Sequence, residues 1–98
     1  MSAYFIVNYR VTNDEGYQKY LQAAGGSIAQ YGGEVLVVDR ASEPVEGNPP
    51  PVTVVIRFES KEGFRGWYES PEYQAAVHYR LDNSEGSSVI VDGLPSSA

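Results

Sequence analysis

Apolar residues alternate over residues 3–11, with Phe5, Val7, Tyr9 and Val11 on one face and Tyr4, Ile6, Asn8 and Arg10 on the other. Aromatic and β-branched residues at period two predict a strand. Neither face is simply polar, so both are expected to be at least partly covered. The period then lengthens. Tyr17, Tyr20, Leu21, Ala24, Ile28 and Tyr31 recur at spacings of three and four, which predicts a helix over about 13–31. Thr12 with Glu15 reads as a capping box, threonine at the cap and glutamate three residues on. Gly25-Gly26 falls inside this helix and costs about 1 kcal/mol per glycine relative to alanine, so a weak point or kink is expected there. Gly32-Gly33 supplies the left-handed residue that ends a helix.

Residues 34–41 predict a second strand and residues 52–59 a third. The polar, proline-rich stretch 42–51 between them reads as a stiff hairpin loop, since proline fixes φ and removes donors. Ser60 caps a short helix carrying Phe64, Trp67 and Tyr68. Ser70-Pro71 then restarts the helix, with serine at the cap and proline at the first helical position, so a second half runs over 71–82. The last strand is expected over 87–93 and a frayed tail over 94–98. Strand, helix, strand, strand, broken helix, strand is the α+β, ferredoxin-like split βαβ order: a four-stranded antiparallel sheet with helices on one side. A helix broken over a small sheet can leave a gap, so a pocket is expected beneath the break at 69–71. The helix-free face of the sheet is apolar enough to call for a second copy of the chain, giving a dimeric α/β barrel.

Composition narrows the partners. Ninety-eight residues suit a single domain, with its core over 3–93. A formal charge of −6 opposes non-specific attraction to nucleic acid or anionic lipid. With no cysteine and one histidine, neither a thiolate nor an imidazole metal site is expected, and no cofactor is implied. No apolar run reaches membrane-spanning length, and residues 1–4 lead straight into the strand pattern without a signal-peptide signature. A cytoplasmic location is the resulting expectation.

Arg80 is the most informative candidate. At about 100° per residue it shares a face of the last helix with Tyr73, Ala76, Val77 and Leu81. A buried arginine stays charged, so it must meet a carboxylate (Asp39, Glu59 or Asp92), backbone carbonyls, or an anion bound in a pocket. Asn8 stands among apolar neighbours, where its amide can polarise a substrate oxygen or bond across the sheet. Arg80 and Asn8 are thus the candidate catalytic residues, with Tyr9, Tyr31, Trp67, Tyr68 and Tyr73 as candidate lining for a small aromatic or anionic ligand; aromatics at helical spacing also serve as core. His78 lies about 140° round the helix from Tyr73 and reads as a surface residue.

Tyr4-Phe5-Ile6-Val7-Asn8-Tyr9-Arg10-Val11-Thr12, Tyr31-Gly32-Gly33, Trp67-Tyr68-Glu69-Ser70-Pro71-Glu72-Tyr73-Gln74, Arg80 and Val91-Asp92-Gly93 together resemble a bacterial family of small proteins of unknown function in the dimeric α/β-barrel superfamily. The resemblance spans residues 3–93 in order. It implies a homodimer whose two sheets face each other, with the helices outside. Related families on this fold include cofactor-free quinone-forming monooxygenases, haem-degrading monooxygenases, lactone isomerases and stress-induced barrels. The haem-degrading pattern uses a strand asparagine, a helix tryptophan and a helix histidine. Asn8 and Trp67 fall where that pattern wants them, but Val77 occupies the place of its histidine. Three functions stay open: a cofactor-independent monooxygenase or isomerase acting on a small aromatic or enolisable acid, a non-catalytic small-molecule-binding or assembly module, and, least favoured, a haem-degrading monooxygenase.

Overall fold

The computed structural model describes residues 2–95. Strand β1 (Ala3–Val11) lies inside the sheet, antiparallel to β3 (Val52–Phe58) on one side and to β4 (Ser84–Asp92) on the other. Strand β2 (Glu34–Asp39) pairs with β3, giving the order β2-β3-β1-β4. Helices α1 (Asp14–Ala24), α2 (Ser27–Gln30), α3 (Lys61–Tyr68) and α4 (Pro71–Asp82) complete the chain. This is the ferredoxin-like α+β fold the sequence predicts. Of the expected tail, residues 96–98 lie outside the described residues, as does Met1.

The period-two pattern of β1 becomes burial. Ala3, Phe5, Val7 and Tyr9 are buried under the helices, while Tyr4, Ile6 and Asn8 on the other face are half-covered. The molecule spans 43 × 37 × 15 Å, one sheet with one layer of helices. Its second sheet face therefore has no cover among the described residues, and Ile6, Val37, Val55, Val89 and Val91 lie on it.

Local chemistry moves several boundaries. Asn13, not Thr12, caps α1, and its side chain accepts from the Gly16 amide. Both residue types cap well, and the one whose backbone is extended beside the first helical residue takes the role. The long first helix is two helices, because the weak point at Gly25-Gly26 is a full interruption. Ser27 Oγ donates to the Ala24 carbonyl across it. The chain leaves α2 through Gly32 at φ +80°, the left-handed turn that glycine tolerates without penalty. Strand β4 begins at Ser84, three residues before the expected 87, because Ser84-Glu85-Gly86 extends the ladder opposite Tyr9, Arg10 and Val11 despite poor strand propensity. Strands β2 and β3 stop at Asp39 and Phe58, short of the expected 41 and 59. A bulge at Leu36 shifts the β2 register, so that Val35 and Val38 oppose Ile56 and Val54 on the helix side.

Candidate functional site

The joint between α3 and α4 is built as predicted but is filled. Ser70 Oγ accepts from the Tyr73 amide and donates to the Trp67 carbonyl, and Pro71 opens α4. Beneath it the Trp67 and Tyr73 rings lie 4.0 Å apart, both fully buried. Those two aromatics occupy the space a broken helix leaves, so the joint is packed where a pocket was expected.

The cavity lies beside the other break. A hollow of about 160 Å³ opens between α1 and the sheet, with Leu21 and Ile28, which flank Gly25-Gly26, on its wall. Val7, Val54 and Ile56 form its floor, Val35 and Val38 its edge, and Tyr17 and Tyr20 its helix side. Arg40 and Arg80 are its two charged lining residues. A second, more polar hollow of about 360 Å³ lies between the end of α4 and residues 84–88, and Tyr9 and Arg80 border both.

Tyr73, Ala76, Val77 and Arg80 form the buried face of α4. Leu81, expected with them, is 58 % exposed: eight residues from Tyr73 is about 80° off the face, and nothing covers the helix end there. Arg80 is 7 % exposed, and its Nε has no hydrogen-bond partner among the described residues. None of its expected carboxylates reaches it. Asp92 pairs with Lys61 at 3.6 Å, Asp39 accepts from the Ala41 amide at 2.8 Å, and Glu59 is exposed. Tyrosines surround the guanidinium instead, with its carbon 6.0 Å from the centre of the Tyr20 ring. Burial works against the charge, but the Tyr73 and Tyr20 hydroxyls outweigh it and hold Arg80 above the ordinary guanidinium value. Arg80 is thus a buried cation without a carboxylate. Such a group must be balanced by a ligand or by polar neighbours alone.

The tyrosine hydroxyls are paired with one another: Tyr9 with Tyr17, and Tyr20 with Tyr73 at 3.0 Å. Burial, reinforced by these partners, pushes the Tyr17 and Tyr20 phenols well above 10.0. They are hydrogen-bond donors, not bases, at neutral pH. Because the folded state binds protons that the unfolded state releases above pH 10, their contribution to stability is complete below that value and falls as the pH rises beyond it. Tyr20→Phe should flatten the loss of stability between about pH 10 and 11, read from urea midpoints at each pH; an unchanged slope would count against the buried phenol.

The remaining candidates scatter. Asn8 faces the opposite side of the sheet from Arg80, where Nδ2 donates to the Pro50 and Val52 carbonyls at 2.9 and 3.0 Å and ties β1 to the end of the proline-rich loop. The two proposed catalytic residues are not brought together within the chain. Tyr9 borders both hollows and Tyr68 the second. Trp67 and Tyr73 stand behind the walls as core, Trp67 Nε1 donating to Ser27 Oγ at 3.0 Å. Tyr31 turns outward and donates to the Glu72 carboxylate at 3.1 Å. His78 is exposed, its ring against Tyr79 at 4.1 Å. Tyr17, Tyr20 and Arg40 were not singled out for the site. The helical spacing placed the two tyrosines on the inner face, whereas Arg40 falls near the end of the strand predicted over 34–41 with nothing around it that marks it as lining a hollow.

An apolar hollow with a buried cation and protonated phenols can hold a small acid and favour its ionised form. The fold defines a class, the ferredoxin-like α+β proteins. Residues 2–94 match the family described as Domain of unknown function (DUF1330), and the chain belongs to that family. No curated protein matches it. Among solved structures it is similar to a protein of unknown function from Rhodopseudomonas palustris, at 16 % identity over 96 % of this chain and 83 % of that one, TM-score 0.76. It is also similar to SnoaB, a cofactor-independent oxygenase from Streptomyces nogalater, at 10 % identity over 97 % and 95 %, TM-score 0.68. A dimeric protein of unknown function and ferredoxin-like fold from Bacteroides fragilis aligns at 13 % identity over 94 % and 96 %, TM-score 0.55. At these identities the likeness is one of fold. Among the described residues no helix is long and apolar enough to cross a membrane.

Proposed function

We propose that the chain is a homodimer whose α1–sheet cavity binds a small aromatic or enolisable acid and stabilises its anion for cofactor-independent chemistry of the monooxygenase or isomerase type. The observation that carries this reading is Arg80: a buried guanidinium with an unpartnered Nε, bordering an apolar hollow and free of protein carboxylates. A cation in a water-poor site lowers the cost of ionising a bound enol or phenol, and the neighbouring phenols can donate to the developing oxyanion. SnoaB, a cofactor-independent oxygenase on the same fold, is consistent with that chemistry. The second reading is binding without turnover. The phenols on the cavity wall favour it, because protonated tyrosines supply no proton acceptor.

Calorimetric titration with small aromatic carboxylates tests the binding step. Oxygen uptake and solvent-deuterium exchange into an enolisable ligand then separate the two readings. Binding without either signal leaves the module; failure of every acid to bind removes the site.

The dimer has its own test. Val89 lies on the helix-free face opposite Ile6 and is half-exposed in a single chain. Light scattering at micromolar concentration should return twice the chain mass. Val89→Asp should return the single mass with a lower melting temperature, because an aspartate buried in the interface is unpaired. A parent protein that scatters as a monomer rules the barrel out.

A further inference from the structure

We propose that the cavity takes a single-ring acid bearing a second anionic oxygen, one charge met by Arg80 within and the other by Arg40 at the mouth. The inference rests on the reading of this hollow as an acid-binding site and names its substrate class. The chain carries 13 acidic side chains against 7 lysines and arginines. The cavity wall inverts that balance: it holds two arginines and not one aspartate or glutamate. Neither arginine is neutralised by the protein, since the ion pairs among the described residues are Arg57–Glu34 and Lys61–Asp92. Arg80 is 93 % buried with its Nε unpartnered. Arg40 follows directly after β2 and is exposed, as a residue at an entrance is. Both guanidinium groups lie close enough to Tyr17 to favour its ionised form against the burial that opposes it, so their fields overlap in the same space. With one cation buried and a second at the mouth, neither paired with a carboxylate, an acid of charge −2 meets both where a monoanion meets one.

Size limits the ring count. The hollow measures about 160 Å³. An apolar protein cavity of about 150 Å³ holds one benzene. The apolar floor of Val7, Val54 and Ile56 suits the face of that ring, and the arginines suit oxygens on its rim. The favoured class is therefore a benzene-dicarboxylate type of molecule.

The experiment titrates the full-length protein by calorimetry at low salt with the 1,2-, 1,3- and 1,4-benzenedicarboxylates. The monoamide of each serves as control, since it keeps the shape and carries one charge. At least one diacid should bind about tenfold more tightly than its monoamide. Arg40→Gln, a change at an exposed position, should erase that preference and leave monoamide affinity within about twofold. Equal binding of diacids and monoamides by the parent, or an equal loss for both in Arg40→Gln, overturns the second charge and leaves the acid site standing. If neither kind of acid binds, both readings fall.

Discussion

Trp67→Ala should cost about 3–5 kcal/mol of folding free energy and lower the melting temperature by very roughly 15–30 °C at fixed protein concentration. Trp67 is 0 % exposed and stands at the centre of the aromatic core. Its ring centre lies 5.5 Å from Phe58, 5.9 Å from Phe5 and 4.0 Å from Tyr73. Alanine would open a void bounded by β1, β3, α3 and α4, elements held to one another and unable to collapse into it without tilting. It would also remove the indole donor to Ser27 Oγ, leaving that hydroxyl only its bond to the Ala24 carbonyl. Trp67→Phe keeps much of the volume and loses the hydrogen bond, so about 1–2 kcal/mol is expected for it. Urea unfolding with an unchanged m-value is the measurement. A cost below about 1 kcal/mol for the alanine variant would mean that Trp67 is wall rather than keystone, and the pocket beneath the α3–α4 joint would return to consideration.

Arg80→Met should separate stability from binding. Methionine fills part of the space of the arginine's aliphatic stem and removes the charge. Because no carboxylate pairs with Arg80, no partner charge is stranded, and the melting temperature should move by only a few degrees. Affinity for an aromatic carboxylate should fall by about 30-fold to 5,000-fold, the range for losing one side of a buried charge pair. An arginine locked to a buried carboxylate would behave oppositely, with a cost of about 3–5 kcal/mol. A large melting-temperature drop with ligand affinity intact in the variant would make Arg80 structural and remove it from the site.

The fold was legible because its signals are local and agree with one another. Period two in β1, the serine caps at Ser60 and Ser70, Pro71, and the glycine exit at Gly32 each specify one geometry. Strand β4 was legible only in its apolar half. Ser84 to Gly86 are drawn into the ladder by the length of β1, a tertiary effect that no propensity carries. The site was read in part. Arg80 on the inner face of α4 follows from helical spacing, but whether a carboxylate reaches it depends on contacts between distant segments. Two helix breaks are visible in the sequence, and the apolar hollow lies beside the first of them, at Gly25-Gly26. What decides is the size of the nearby side chains: Trp67 and Tyr73 fill the α3–α4 joint, while Leu21 and Ile28 leave space beside Gly25-Gly26. Asn8 looked mobile in role because an asparagine in a strand advertises polarity and not direction; its amide serves the loop behind the sheet.

The bulge at Leu36 controls the sign of the cavity. Before it, odd-numbered residues of β2 face the helices, as Val35 does; after it, even-numbered ones do, as Val38 does. The bulge places Asp39 on the same, helix-free face as its partner Thr53, and Arg40, the next residue, lines the mouth of the hollow. With an uninterrupted strand the parity would reverse, and the acid would stand where the arginine does. One added residue thus acts as a charge inverter, so across homologues the ligand's polarity should track insertions and deletions in this edge strand more closely than substitutions in the cavity wall.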